Sequence, residues 1–149
     1  MRFEDLLAWQ KVRELTNGVY RLCQNKPLAI DLGLRDQIQR AAVSAMNNIA
    51  EGFERQGKQE KWHFYNIAKG SAGEVRSLTY VVLDINLAPP DSVLSVQNLA
   101  SETGASYTAS CVRQNLLNPE YSRFFLPPNP QSYIRSLFSS FPGFSSPEC

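Results

Sequence analysis

Residues 34–50, LRDQIQRAAVSAMNNIA, decide the fold, because apolar residues recur in them every three or four positions. That spacing is typical of an amphipathic α-helix with one buried face. The predicted buried face consists of Ile38, Ala41, Ala42, Ala45 and Ile49. Most of these side chains are alanines, and small side chains let two helix axes approach closely. The sequence therefore predicts a helix over about residues 34–50 that lies close against a neighbouring helix.

A polar stripe runs beside this alanine-rich face. Its members share one side of the predicted helix: Arg40, Ser44, Asn48 and Glu51. A polar group next to a core needs a hydrogen-bond partner, because an unsatisfied one costs about 1–3 kcal/mol. Glu74, in the next predicted helix, suits Arg40 as a partner in a buried interhelical ion pair. We interpret the stripe as a network that fixes helix register; the alternative is a catalytic or ligand-binding use of Ser44, Asn48 or Glu51.

The segment before it, residues 3–24, has the same periodicity. Its apolar positions are Phe3, Leu6, Leu7, Val12, Leu15, Val19 and Leu22. They predict a first helix roughly 30 Å long at about 1.5 Å per residue. Pro27 and Gly33 then mark a connection over residues 26–33.

A third helix is predicted over about residues 58–87. Gly52 and Gly57 bracket the polar stretch EGFERQGKQE, which indicates the end of one helix and the start of the next. Gly70 and Gly73 interrupt the third helix, and an interior glycine costs about 1 kcal/mol relative to alanine. Close helix packing is the simpler reason for both glycines. The alternative is a ligand or a partner backbone that lies against them.

Pro89 and Pro90 end the third helix, and Asp91 or Ser92 is suited to cap a fourth that extends to about residue 117. These elements predict an all-α, up-down-up-down four-helix bundle over residues 1–117.

Residues 118–149 contain six prolines, seven serines and seven aromatic residues. They are predicted to form an irregular tail without which the bundle still folds; the alternative is a segment that docks on the bundle or on a neighbouring subunit.

Composition limits the class of function. The chain has 15 Lys and Arg against 14 Asp and Glu, whereas a dedicated nucleic-acid binder usually has a strong basic excess. Three widely separated cysteines argue against a disulfide framework. The sequence shows no apolar segment typical of a signal peptide and no run of about 20 apolar residues that would span a bilayer. We therefore expect a cytoplasmic protein.

Motifs for catalysis and cofactor binding are lacking. His63 is the only histidine, which argues against histidine-based triads and multi-histidine metal sites. The sequence contains no GxxxxGK(S/T), GxGxxG or CxxC motif. We expect no enzyme activity, no cofactor and no metal site.

A cluster of cations surrounds the second turn and the third helix. It consists of Arg55, Lys58, Lys61, Lys69 and Arg76. With Trp62 and Tyr65 nearby, these side chains are candidates for contacts with phosphates and bases of a nucleic acid. Because Glu54 and Glu60 dilute the positive field, the alternative is an ordinary solvated helix face.

The run RAAVSAMNNIAEG, residues 40–52, resembles the signature of the four-helix-bundle protein family encoded in intervening sequences of bacterial 23S rRNA genes. That family has relatives among the accessory proteins of diversity-generating retroelements. The resemblance covers residues 3–117, including FEDL at residues 3–6, WQK at residues 9–11, and Phe64, Gly70, Ser71 and Glu74 in the third helix. The chain departs from the family at residues 45–47, Ala-Met-Asn, where members often have Ile-Pro-Ser.

The resemblance implies a homo-oligomer, typically a pentamer, and a role in binding RNA or DNA. The first functional hypothesis is a non-enzymatic oligomeric adaptor that contacts nucleic acid or a nucleic-acid enzyme such as a reverse transcriptase. The alternative is a purely protein-binding or structural bundle with no nucleic-acid role. Salt-dependent binding would separate the two, because phosphate contacts release counterions.

Overall fold

The computed structural model describes the backbone of residues 2–115 and the side chains of residues 2–104. A short 3-10 helix, Phe3–Asp5, precedes five α-helices: α1 (Leu7–Leu22), α2 (Lys26–Ile30), α3 (Leu32–Glu54), α4 (Lys58–Asp84) and α5 (Pro90–Asn115). The chain divides into two compact units, residues 1–108 and 109–149, and the packing described below belongs to the first. The predicted helix end near residue 117 and the predicted tail, residues 118–149, lie outside the described residues.

The four long helices α1, α3, α4 and α5 run alternately up and down, which confirms the predicted all-α four-helix bundle. All five residues of the predicted α3 face are buried, and Val12, Leu15 and Val19 of α1 are fully buried opposite them. On α4 the core residues are again small or β-branched: Ala68, Ala72, Val75, Thr79 and Val82. Alanines on both α3 and α4 permit the close approach of these two helices that the sequence predicted.

The start of α1 differs from the prediction. The 3-10 helix is held by a hydrogen bond from the Arg2 backbone N–H to Asp5 Oδ2 (2.9 Å) and by an edge-to-face contact between the Phe3 and Trp9 rings (5.2 Å). Leu7, predicted to lie on the buried stripe, is 63% exposed. Ala8 is buried in its place, because it lies one helical turn before Val12 on the same face.

The connection between α1 and α3 contains the single-turn helix α2. Leu28 of α2 is fully buried, and its backbone N–H donates a 3.2 Å hydrogen bond to the Leu87 carbonyl, between α4 and α5. The Asp31 carboxylate then accepts a hydrogen bond from the Leu34 backbone N–H (3.1 Å) and caps α3. As a result α3 begins at Leu32, two residues before the predicted start.

The end of α3 corrects a second expectation. Gly52 does not terminate the helix; it is buried within it, and α3 continues to Glu54. A Cβ atom at position 52 would lie 2.7 Å from Cε1 of Tyr65 and 3.1 Å from Cβ of Phe64, both on α4. Glycine is therefore needed at position 52 for the close approach of α4, and the turn between the two helices is only residues 55–57.

The end of α4 is set by Asn86 rather than by the two prolines. Asn86 has φ 56°, in the left-handed region that asparagine tolerates better than most residues. The Asn86 N–H donates to the Leu83 carbonyl (3.1 Å) and the Leu87 N–H to the Val82 carbonyl (3.0 Å), which is the hydrogen-bond pattern of a Schellman motif. The predicted end near residue 87 is therefore moved to Asp84, and Ile85 is exposed. Pro90 is the first residue of α5, a position that needs no N–H donor.

Gly70 and Gly73 lie on the outward face of α4. Both are exposed, and a Cβ atom at either position would meet no atom within 4 Å among the described residues. The prediction that close packing within the bundle explains these two glycines is therefore wrong. Packing explains Gly52 instead, where the sequence suggested a helix end.

Candidate functional site

Part of the predicted polar stripe forms a network between α3 and α4. The hydroxyl groups of Ser44 on α3 and Ser71 on α4 are hydrogen-bonded at 2.9 Å. The Asn48 amide nitrogen donates to the Ser44 carbonyl (2.8 Å) and to the Ser44 hydroxyl (3.2 Å). All three side chains are half-buried, so the network satisfies polar groups at the edge of the core and ties the register of one helix to the other. Ser71 was not among the residues predicted for the network.

The predicted buried ion pair between Arg40 and Glu74 is wrong. Both side chains are exposed, and the ion pairs among the described residues do not include one between them. Helix geometry gives the reason: Arg40 is two residues after the buried Ile38, which turns it about 200° away from the core. Arg40 instead lines an open hollow on the outer face of α3, together with Tyr20, Asp36, Gln39, Val43, Ser44 and Asn47.

Glu51 belongs to a separate cluster at the end of α3. Its carboxylate pairs with the Arg55 guanidinium one helical turn later. The same guanidinium lies 4.8 Å from the centre of the Phe64 ring on α4, within the range of a cation–π contact. The polar stripe predicted as one network is thus divided in two, and Arg55 is engaged in the turn between α3 and α4.

Lys61, another of the five predicted nucleic-acid contacts, is engaged in the same turn. Its Nζ atom donates to the Phe53 carbonyl at the end of α3 (3.3 Å) and lies 5.7 Å from the centre of the Phe53 ring. A cation at a helix C-terminus also interacts favourably with the helix dipole. Lys61 therefore stabilises the end of α3, and its charge is partly used there.

The remaining three cations, Lys58, Lys69 and Arg76, form what we call the α4 basic line. All three are exposed, and none forms an ion pair or a side-chain hydrogen bond with another described residue. At about 100° per residue, Lys69 and Arg76 lie within about 20° of Lys58 around the helix axis. At about 1.5 Å per residue the line is about 27 Å long. The structure thus brings together three of the five predicted contact residues on one side of one helix.

The aromatic side chains of α4 differ in their exposure and in their distance from the α4 basic line. Tyr80 lies one turn after Arg76, is 55% exposed, and falls within about 40° of the line. Sequence analysis missed Tyr80, although its spacing of four residues from Arg76 was the available signal. Trp62 is half-buried, and the ring of Tyr65 occupies the space next to Gly52, so Tyr65 supports the helix contact rather than facing outward.

A second feature of the surface is apolar. Large apolar side chains are exposed at the end of the bundle where α2 and the α4–α5 connection meet. They are Tyr20, Ile30, Leu32, Val81, Ile85 and Leu94, and Ile30 is 80% exposed. A bundle end that exposes several large apolar side chains is a candidate interaction surface.

Two further titratable side chains, Cys23 and Lys11, have structural rather than functional surroundings. Burial raises the pKa of the Cys23 thiol, which keeps this thiol protonated and unreactive near neutral pH. The Lys11 ammonium contacts the Glu102 carboxylate (3.2 Å), which raises the pKa of Lys11 and joins α1 to α5. Across the helices that the structure describes, no segment is long and apolar enough to cross a membrane.

Comparison with known proteins identifies the class to which this bundle belongs. The family model described as "23S rRNA-intervening sequence protein" matches residues 4–109, which covers α1 to α4 and most of α5. The chain is therefore a member of the 23S rRNA-intervening sequence protein family. A search of curated proteins found no match.

Proposed function

We propose that this protein is a non-enzymatic, cytoplasmic helical-bundle adaptor that assembles with copies of itself and contacts nucleic acid through the α4 basic line. The observation that carries the proposal is the contrast among the five cations of the cluster. Arg55 and Lys61 are engaged within the α3–α4 turn, whereas Lys58, Lys69 and Arg76 are exposed on one side of α4 without ionic partners among the described residues. Free cations in a row attract phosphates and release their counterions.

Two of the three carboxylates of α4 lie away from this line. Helix geometry places Glu60 about 200° and Glu74 about 160° around the axis from Lys58, on the opposite side of α4. On α5, Glu102 is paired with Lys11 of α1. The near-zero total charge is therefore compatible with a locally positive strip from Lys58 to Arg76, and the third carboxylate of α4, Asp84, lies eight residues beyond the end of that strip.

The test uses the full chain and a labelled RNA oligonucleotide at low salt. Lys69→Glu/Arg76→Glu is expected to reduce affinity at least tenfold, because it reverses two of three phosphate contacts. Arg13→Glu/Arg40→Glu, which changes total charge equally at exposed sites on α1 and α3, is the matched control and should bind nearly as the parent does. If both variants lost affinity for the RNA equally, net charge alone would explain the loss, and the α4 basic line would not be the binding site.

Self-assembly is supported by the exposed apolar side chains at the α2 end of the bundle and by membership of the family. A pentamer is the expected number, and a reverse transcriptase or another nucleic-acid enzyme is the proposed protein partner through the relation to diversity-generating retroelements. Light scattering of the full chain at micromolar concentration tests the assembly: a stable monomer would contradict it.

The second candidate is a purely protein-binding or structural bundle without a nucleic-acid role. The same exposed apolar side chains favour it, since burying them against a partner requires no charge. An assembled protein that binds neither RNA nor DNA at low salt would establish this candidate over the first.

A further inference from the structure

We infer that the α4 basic line binds single-stranded rather than double-stranded nucleic acid, with the exposed ring of Tyr80 as a stacking platform for a base. This inference rests on the proposed nucleic-acid contact and specifies its ligand. It depends on three observations: the geometry of the line, the accessibility of α4, and the position of Tyr80.

The line offers a single row of charge. Lys58, Lys69 and Arg76 deviate by no more than about 20° around α4 and extend over about 27 Å. A strand stacked as in B-DNA advances about 3.4 Å per nucleotide, so the line matches the phosphates of about eight nucleotides of one strand. Proteins that bind single strands without sequence preference combine such a charged track with aromatic stacking and do not depend on base-specific hydrogen bonds.

Access to a duplex is limited because α4 is not a free helix. It contacts α3 from Gly52, against Tyr65, to the Ser44–Ser71 hydrogen bond, and one stripe of α4 is fully buried. The major groove of B-DNA is about 12 Å wide and admits one helix. A recognition helix enters the groove with the face opposite its packed side, whereas the α4 basic line lies only about 80° around the axis from the buried stripe of α4, beside the neighbouring helices.

Tyr80 provides a contact that only an unpaired base can use. Its ring is 55% exposed and lies one turn beyond Arg76, where a strand that follows the line would arrive. Asp84, one turn further, and Asp91 at the start of α5 repel phosphates, so the strand leaves the line near Tyr80. A base within a duplex has both faces covered by its neighbours, whereas a single strand presents one for stacking.

The experiment compares three ligands of ten nucleotides by fluorescence anisotropy at low salt, with the full chain: oligothymidine, the same backbone with abasic sites, and a mixed-sequence duplex. Oligothymidine should bind about tenfold more tightly than either of the others. Tyr80→Ala should lower affinity for oligothymidine to that of the abasic strand and leave the abasic strand unaffected, whereas Tyr80→Phe should behave as the parent. Because the line contains three cations, log K should fall with log salt concentration with a slope of about −2.

The outcomes separate this inference from the proposed function. If Tyr80→Ala binds oligothymidine as the parent does, or if the duplex binds more tightly than the single strand, the inference is overturned. The proposed function survives that result if Lys69→Glu/Arg76→Glu still weakens binding. If none of the three ligands binds at low salt, the inference is overturned; if the RNA oligonucleotide does not bind either, the proposed function is overturned with it. Circular dichroism of each variant confirms that a loss of binding is not a loss of helix.

Discussion

Glycines occur inside helices α3 and α4 of this bundle, at one buried site and at one exposed site. Gly52 of α3 is buried, and Tyr65 of α4 occupies the space that a side chain at position 52 would need. Gly70 and Gly73 of α4 are exposed, with no described atom within 4 Å of where their Cβ atoms would be. All three carry the same helix-propensity cost of about 1 kcal/mol relative to alanine. Packing within one bundle accounts for that cost at Gly52 and leaves it unexplained at the other two positions.

The same substitution should therefore have opposite signs at the two sites. Gly52→Ala places a methyl group 2.7 Å from the Tyr65 ring, so Tyr65 or the helix must shift. Overpacking of this kind costs about 1–3 kcal/mol, which exceeds the gain in helix propensity. We expect a net loss of about 1 kcal/mol and a melting temperature lower by roughly 3–6 °C in thermal unfolding followed by circular dichroism. An unchanged melting temperature would mean that α3 and α4 are less closely packed than described.

Gly70→Ala/Gly73→Ala should stabilise the bundle. Each alanine gains about 0.5–1 kcal/mol of helix propensity and meets no described atom, so the double variant should gain about 1–2 kcal/mol. The measurement is again the melting temperature, with light scattering on the same samples. A gain in stability together with a smaller assembly would show that a second subunit lies against this face. A lower melting temperature at unchanged assembly size would contradict the observation that Gly70 and Gly73 have open space around them.

The Ser44–Ser71 hydrogen bond joins two half-buried side chains, so we expect its removal to have an effect of intermediate size. Ser44→Ala or Ser71→Ala alone leaves the other hydroxyl without this partner, whereas the double variant removes both. A double-mutant cycle in urea should give a coupling free energy of about 1 kcal/mol, as for other hydrogen bonds at the edge of a core. Additive effects of the two single variants would show that the hydrogen bond does not form in solution.

Arg40→Ala should have the smallest effect. Arg40 is exposed and forms no ion pair among the described residues, so the free energy of unfolding should change by no more than about 0.5 kcal/mol. Glu51→Ala, which removes the ion pair to Arg55, is a suitable control of similar size. If Arg40→Ala lowered the free energy of unfolding by several kcal/mol, the result would support the buried ion pair with Glu74 that the sequence suggested.

These sites show what a sequence can predict for such a bundle. The buried face of α3, from Ile38 to Ile49, was predicted in full, because helical periodicity is a property of the chain itself. The role of Gly52 was not, since a glycine that ends a helix and a glycine that admits a neighbouring ring are identical in sequence. What distinguishes them is Tyr65, 13 positions later, and only the packing of α4 on α3 brings the two together.

The candidate interface divides in the same way. The five cations were identified from composition along the chain, but their availability depends on partners that periodicity does not reveal. Lys61 is used by the Phe53 carbonyl and Arg55 by Glu51, whereas Lys69 has no such neighbour among the described residues. Tyr80 was not predicted, because the aromatic candidates, Trp62 and Tyr65, were the ones next to Lys61 in sequence, whereas Tyr80 is one helical turn beyond Arg76.

The hydrogen bond from the Leu28 N–H to the Leu87 carbonyl has a consequence for how the chain is made. Helix α2 has five residues, far fewer than the dozen or so that an isolated helix needs to be even marginally stable in water. Its anchor lies 59 residues further along the chain. A ribosome that adds about 5–20 residues per second supplies that anchor roughly 3–12 s after Leu28. During this interval the emerging chain has α1 and α3 available for pairing but no fixed path between them, so the connection acquires its final course only when the end of α4 has been synthesised.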